Sequence, residues 1–228
     1  MCRSIFSFAA ILVFLSFGAR AQGEDTSRIN GTTTVKPDGR QLRFGIDISR
    51  PLMQAIFKDR YAYEVMADYS LPKDIYSVLE GGFGGSDIDY PDLRYKSSNF
   101  FLKAGIDKSM LQRLYPEDWD FLFVGVRYGV AFINRGAASF STDDLVWGTT
   151  AGTIPAKSLT AHWAELTGGL RVELFPRMFA GYTVRARFLI NAKQFRELPP
   201  AYIAGYGKGE KNTVFDFNFY LQYALRWK

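Results

Sequence analysis

The chain has 228 residues, of which 16% are aromatic, and it contains one cysteine, Cys2, and one histidine, His162. Its 28 basic and 23 acidic residues give a formal net charge of +5, an imbalance too mild to indicate a nucleic-acid partner. Cysteine and histidine are too few for a disulfide framework or a typical metal site, and we expect no metal and no cofactor.

Residues 1–21 have the pattern of a cleaved secretory signal peptide. Arg3 supplies the positive charge, residues 5–17 are apolar, and Ala19-Arg20-Ala21 is a small-x-small cleavage signal. The apolar stretch is too short to be a spanning helix, and no later apolar run reaches the length of about 18 residues that a helix would need. Residues 22–41 are polar, and we expect them to form a flexible periplasmic leader.

Eight later segments alternate apolar and polar residues with a period of two, which predicts β-strands with one apolar face. The last is the clearest, because a row of alternate apolar residues begins at Phe215 and ends at Trp227. Such a run exceeds the about five or six residues of a soluble strand and suits the about 9 to 11 residues of a membrane-spanning one. The predicted strands are residues 42–49, 61–70, 75–83, 99–106, 122–132, 165–174, 180–190 and 215–227.

The connections between these strands favour a barrel. Short turns at residues 71–74 and 175–178 alternate with long polar or glycine-rich loops, as in bacterial barrels with short periplasmic turns. The link at residues 51–60 is shorter than this pattern requires and could hold a helical turn, and the link at 107–120 is longer. The long loops are residues 84–98, 134–160 and 191–212.

We therefore predict an all-β fold, a closed antiparallel up-and-down transmembrane β-barrel, over residues 42–228. Eight strands are predicted, and ten if the loop at residues 134–160 contains a further hairpin. The alternative is a soluble, exported barrel of the lipocalin type, which would keep its apolar residues inside.

Several segments resemble a known class of protein. The chain looks like a small eight-stranded bacterial outer-membrane barrel of the kind that includes OmpX and the OmpA membrane domain. More narrowly, it resembles an uncharacterised family of exported barrels from Bacteroidetes-type bacteria. The resemblance implies insertion by the barrel-assembly machinery, whose substrates usually end in an aromatic residue, whereas here Lys228 follows Trp227. The segments that carry it are Ala21-Gln22, Phe44-Gly45-Ile46-Asp47-Ile48-Ser49, Glu80-Gly81-Gly82-Phe83, Phe123-Val124-Gly125-Val126-Arg127-Tyr128-Gly129 and the terminal aromatic strand.

The predicted inward face of the strands carries acids and bases in nearly equal number. An eight-stranded barrel has an interior just wide enough for side chains, where charges are costly unless they are paired. We predict a near-neutral network of ion pairs that closes the lumen, with a proton or ion path as the alternative. The network comprises Arg43, Asp47, Glu64, Asp68, Glu80, Lys103, Asp107, Arg127, Glu165, Arg171, Glu173, Arg185, Arg187, Asp216 and Arg226.

Two functional alternatives remain beside a structural or surface-interaction role in which the strands hold long loops at the cell surface. One is a lipid-modifying enzyme, since Ser158, His162 and Glu165 lie close together in the sequence. His162 and Glu165 are separated by an odd number of residues and therefore point to opposite faces of a strand, so we expect no catalytic site. The other alternative is a small-solute channel. Outer-membrane lipid and the barrel-assembly machinery are the expected partners, and the sequence defines no surface ligand.

Overall fold

The computed structural model describes residues 39–111, 113, 115–144 and 148–227. The chain divides into two units, Met1–Thr34 and Val35–Lys228, and the described residues lie in the second. The predicted signal peptide and residues 22–38 of the predicted leader lie outside the described residues. The leader is predicted two residues too long, because the first strand begins at Arg40.

The described residues form ten β-strands, one α-helix and one short 3-10 helix, Ala192–Phe195. The helix, α1, is Ser49–Ile56. It includes the helical turn predicted after the first strand. Within the described ranges, no helix has both the length and the hydropathy that a membrane span requires. The strands are β1 Arg40–Asp47, β2 Arg60–Leu71, β3 Ile75–Asp89, β4 Leu93–Ser109, β5 Phe121–Arg135, β6 Ala138–Asp144, β7 Gly148–Ile154, β8 Lys157–Phe175, β9 Met178–Leu189 and β10 Thr213–Trp227.

Eight of the strands close into an antiparallel barrel in the order β1, β2, β3, β4, β5, β8, β9, β10, and β10 pairs back onto β1. The predicted all-β closed barrel is thereby confirmed. The remaining two strands, β6 and β7, form the further hairpin anticipated within residues 134–160. This hairpin is not one of the eight strands of the closed barrel, and it continues the sheet at the start of β4, where Leu93 faces Phe140.

The prediction of a long loop at residues 84–98 is wrong. β3 continues to Asp89 and β4 begins at Leu93, and the two strands pair without interruption from Ile75–Lys108 to Asp89–Arg94. Only a tight connection at residues 90–92 joins them. Alternation with lipid-facing apolar residues is required only within the bilayer, so the strands can extend beyond it with polar side chains that carry no such signal.

The barrel has two distinct ends. The turn end carries the connections at residues 72–74, 110–120 and 176–177, together with the paired residues Arg40 and Trp227. The loop end carries α1, the β3–β4 tip, the β6–β7 hairpin and residues 190–212.

The side chains of the strands are sorted as a membrane barrel requires. Phe215 is 75% exposed and begins a row of exposed apolar residues on β10, whereas Arg171 and Arg185 are 0% exposed. This arrangement excludes the lipocalin-type alternative, in which apolar side chains would face inward. The exposed row on β10 is Phe215, Phe217, Phe219, Leu221, Tyr223, Leu225 and Trp227.

Candidate functional site: the barrel interior

The structure places the whole predicted set of charged residues inside the barrel. Asp216, Glu173 and Arg226 lie towards its ends and keep about a fifth of their side-chain surface exposed. The other twelve are buried: Arg43, Asp47, Glu64, Asp68, Glu80, Lys103, Asp107, Arg127, Glu165, Arg171, Arg185 and Arg187.

Lys103 and Arg185 form the centre of the network with three glutamates. Nζ of Lys103 lies 2.8 Å from Oε1 of Glu64 and 2.6 Å from Oε2 of Glu80. Nη1 of Arg185 lies 2.7 Å from Oε2 of Glu80 and 3.0 Å from Oε2 of Glu165. These five residues come from β2, β3, β4, β8 and β9, and the pair of Arg185 on β9 with Glu80 on β3 crosses the lumen and ties opposite walls together.

The network continues to the loop end through Arg187 and Arg50. Arg187 bonds Glu165 at 2.8 Å and Asp216 at 2.7 Å, and Arg50 bonds the same Oδ2 of Asp216 at 2.5 Å. Burial favours neutral Arg50, but attraction to the surrounding anionic groups, Asp216 first among them, together outweighs burial and raises the pKa of Arg50 well above its ordinary value. Arg50 is not among the predicted network residues, because it lies in α1 and no strand alternation points to it.

Towards the turn end the pairs are more local. Nη2 of Arg127 lies 2.9 Å from Asp107, and Nε of the same arginine lies 3.2 Å from Glu80, which links this pair to the central cluster. Two further pairs stand apart from that cluster. They are Arg43–Asp68 at 2.7 Å and Arg226–Glu173 at 2.6 Å.

Arg171 is the exception in the predicted network. It makes no ion pair within the described residues, although it is fully buried. Its Nη1 donates to Oγ1 of Thr183 at 3.2 Å, and its guanidinium lies 4.9 Å from the ring centre of Phe123 and 5.4 Å from that of Tyr220. The prediction of ion pairing is therefore wrong for Arg171, whose charge is held over aromatic faces instead.

Neutral polar side chains, which the predicted network does not include, complete it. The hydroxyl of Tyr220 donates to Glu64 at 2.5 Å and accepts from Arg185 at 2.8 Å. Nε1 of Trp163 donates to Glu165 at 3.1 Å. Tyr220 lies on the inward register of β10, so the alternation could have identified it as an interior hydrogen-bonding group.

Residues 190–212, here called the loop plug, cover the loop end of the lumen. The segment was predicted as a surface loop, and that prediction is wrong, because Ile203, Ala204 and Tyr206 are fully buried in an apolar cluster that includes Phe101 and Trp163. On the lumen side, Nη1 of Arg187 donates to the carbonyl of Tyr206 at 2.9 Å and fixes the backbone of the loop plug. Apolar residues at alternate strand positions inside the barrel mouth give this loop a surface to pack on.

Gly205 in the loop plug occupies a position at which a larger residue would not fit. Gly205 has φ of +80°, and a Cβ at this position would lie 2.5 Å from the ring of Phe101. The backbone that precedes it is also fixed, since the carbonyl of Tyr202 accepts from Asn99 at 3.4 Å, and the N–H of Ala204 donates to Oδ1 of Asn99 at 2.9 Å. The loop is therefore seated by specific contacts on β4.

The structure does not assemble the three residues of the enzyme alternative. His162 lies on the outer face of β8, where Nδ1 is 2.8 Å from the hydroxyl of Tyr128. Ser158 donates to Asn134 at 3.0 Å, and Glu165 is buried in the lumen network. The wall of the barrel therefore separates the acid from the imidazole.

A known family matches almost the whole chain. The family described as "Domain of unknown function (DUF6048)" matches residues 1–227. The chain belongs to this family. Among curated proteins, none matches it. The narrower resemblance to a Bacteroidetes-type family stays a prediction.

Three solved structures are similar to the chain. A major outer membrane protein from Thermus thermophilus has a TM-score of 0.46 at 12% identity, covering 82% of this chain and 98% of that one. The N-terminal β-barrel domain of OprF from Pseudomonas aeruginosa has a TM-score of 0.33 at 9% identity, covering 83% and 98%. Neisserial surface protein A has a TM-score of 0.36 at 10% identity, covering 82% and 96%.

A closed barrel is the only all-strand architecture that satisfies every backbone polar group inside a bilayer, and an apolar exterior with a polar interior is typical of barrels that span one. The chain is an integral membrane β-barrel of the outer-membrane type.

Proposed function

We propose that this chain is a non-conducting outer-membrane barrel that serves as a rigid support for surface structures at its loop end. The observation that carries the proposal is the cluster of ion pairs at the middle of the lumen, in which Lys103 bonds Glu64 on the same side and Arg185 reaches Glu80 on the opposite wall. An ion-selective pore would be expected to show rings of one charge sign, whereas these charges alternate and neutralise one another.

Closure at both ends supports the same proposal. The loop plug fills the mouth at the loop end with buried apolar side chains. At the turn end, the guanidinium of Arg226 lies 5.2 Å from the ring centre of Trp119, and Trp119 packs with Phe179 beneath the network. Signal-peptide export, insertion by the barrel-assembly machinery and contact with outer-membrane lipid complete the proposal. The β3–β4 tip and the β6–β7 hairpin are the structures presented outward.

Conductance across a planar lipid bilayer tests the closed lumen. We expect no single-channel steps above background for the wild type. The charge-balanced variant Arg185→Ala/Glu80→Ala removes the central pair. It should conduct when the two ends are also opened, by Trp119→Ala and by a short glycine linker in place of residues 191–212. The matched control is Arg94→Ala/Asp89→Ala, because this pair lies outside the lumen at 2.8 Å with both side chains more than half exposed, and it should remain silent. Regular steps in the wild type would contradict the proposal.

The absence of enzyme activity is part of the proposal. It is supported by the separation of His162 from Glu165 across the barrel wall. The variant His162→Ala should leave the lipid composition of producing cells unchanged, as measured by mass spectrometry of extracted lipids. A lipid species that disappears in this variant and is retained in Tyr128→Phe would instead support catalysis by the imidazole.

A further inference from the structure

The wall of the barrel is incomplete on one side of its loop end. β1 has 8 residues, whereas the other barrel strands have 12 to 19. Its pairing with β2 ends at Ile46–Val65, and its pairing with β10 ends at Asp47–Tyr220. Residues 60–64 of β2 and 213–217 of β10 therefore continue with no described strand between them. At about 3.3 Å per residue, the gap is about 16 Å tall.

Helix α1 spans this gap in place of a strand. Arg50 reaches across to Asp216 on β10, and Gln54 accepts a hydrogen bond from the hydroxyl of Tyr63 on β2 at 3.4 Å. The N–H of Phe217 donates to Oδ1 of Asp216 at 2.9 Å. At Phe217 a side chain thus satisfies a backbone N–H of β10 beside the gap.

Beneath α1 the gap opens into a cavity of about 190 Å³ that carries excess positive charge. Its lining includes Arg50, Arg60, Lys208 and Asp216. Asp216 already serves Arg50 and Arg187. Arg60 approaches the carboxylate of Asp59 only at 4.0 Å, and Lys208 has no ion pair within the described part of the chain. Both cations also line a neighbouring pocket with Asp59 and Glu210, but among the described residues neither is held in an ion pair shorter than 4.0 Å, so both can turn to an incoming anion.

The outer rim of the cavity is aromatic and faces lipid. Phe57 lies under Arg60, with the guanidinium 4.2 Å from its ring centre. Phe215, Tyr61 and Tyr63 are exposed on the two strands that flank the gap. On α1, Leu52 and Ile56 are one turn apart and more than half exposed. Aromatic residues and an amphipathic helix at this position are typical of the boundary between acyl chains and head groups.

We propose that this side opening binds the anionic phosphate head group of a membrane lipid, with Arg60 and Lys208 as the anion-binding residues. The cavity is smaller than the about 300 Å³ of common ligand pockets. It therefore takes a head group, and the acyl chains stay in the bilayer against Phe215 and Tyr61. The inference rests on the membrane location within the proposed function and is independent of whether the lumen is closed.

Lipid retention measured by native mass spectrometry tests the site. The purified barrel in neutral detergent is mixed with equal amounts of phosphatidylglycerol and phosphatidylcholine that have identical acyl chains. We expect the wild type to retain the anionic lipid at least about tenfold over the zwitterionic one, since each basic residue near a membrane surface contributes several-fold. The variant Arg60→Gln/Lys208→Gln should bring the ratio close to one.

A matched control removes the same charge elsewhere at the loop end. Arg94→Gln/Lys157→Gln affects two exposed residues that already pair with Asp89 and Glu197, and it should keep the wild-type ratio. Heated and unheated gel mobility establishes that each variant is folded. An unchanged ratio in Arg60→Gln/Lys208→Gln would overturn the proposal. So would displacement of the lipid by millimolar inorganic phosphate, because the site would then recognise a soluble anion.

Discussion

The two faces of β10 show how one strand meets two different environments. Inward, Asn218, Tyr220 and Gln222 are buried, and they bond to acidic side chains on the nearby strands β1 and β2, which are Asp47, Glu64 and Asp68 respectively. Outward, Phe219 and Leu221 are exposed apolar side chains that meet lipid. The interior is therefore specified residue by residue, whereas the exterior is specified by hydropathy. Substitutions on the two faces should fail for different reasons.

The largest effect should come from removing one interior charge. Arg185→Met removes the cation that bonds Glu80 at 2.7 Å and Glu165 at 3.0 Å, and both glutamates stay buried with excess negative charge between them. We expect the free energy of unfolding to fall by about 3–5 kcal/mol. Urea titration followed by gel mobility measures it. The control Arg94→Met breaks an exposed pair and should cost about 0–1 kcal/mol. Equal losses would show that the interior network is not specific.

A charge on the outer face should cost less and for a different reason. Val126 is 53% exposed near the middle of β5, so Val126→Arg places a charge in lipid without breaking any hydrogen bond. The expected loss is about 2–4 kcal/mol at the bilayer midplane. Thr142→Arg on the exposed hairpin is the control and should be close to neutral in the same titration. A neutral result at Val126 would contradict the lipid-facing assignment.

A smaller effect should separate steric from conformational requirements in the loop plug. Gly205 and Gly148 both have positive φ, but a Cβ at Gly148 meets nothing within 4 Å, whereas one at Gly205 meets Phe101. Either alanine variant should lose about 1–3 kcal/mol of local stability through backbone strain. Only Gly205→Ala should also displace the loop plug from Phe101. Limited proteolysis should then cleave residues 191–212 faster in this variant than in Gly148→Ala. Equal cleavage of the two variants would argue against a seated plug.

The barrel could be predicted from the sequence because contact with lipid requires an apolar side chain at every second position of a spanning strand. The alternation from Phe215 to Trp227 is read directly as a strand with one face in lipid, and the same pattern placed Arg43, Arg127 and Glu165 inside. The even strand count and the alternation of turns and loops then favoured closure. These features follow from local periodicity, which a single sequence contains.

Features that depend on long-range geometry could not be predicted. Which acid meets which base is set by the stagger of the strands, so the absence of an ion pair at Arg171 among the described residues could not be foreseen. The bonds from Arg50 to Asp216 and from Asn99 to the loop plug join residues more than 100 positions apart. Residues 84–98 were misassigned because strand pairing outlasts the apolar alternation once the strands leave the bilayer.

The most direct test of the central claim is the sidedness of β10. Single cysteines at positions 217, 218, 219, 221 and 222, in a chain with Cys2 replaced by serine, are labelled with a small fluorophore and folded into bilayers of brominated lipid. Bromine quenches only labels that contact acyl chains. Labels at 217, 219 and 221 should be strongly quenched, and labels at 218 and 222 should not. Quenching of 218 and 222 with protection of the odd positions would contradict the account.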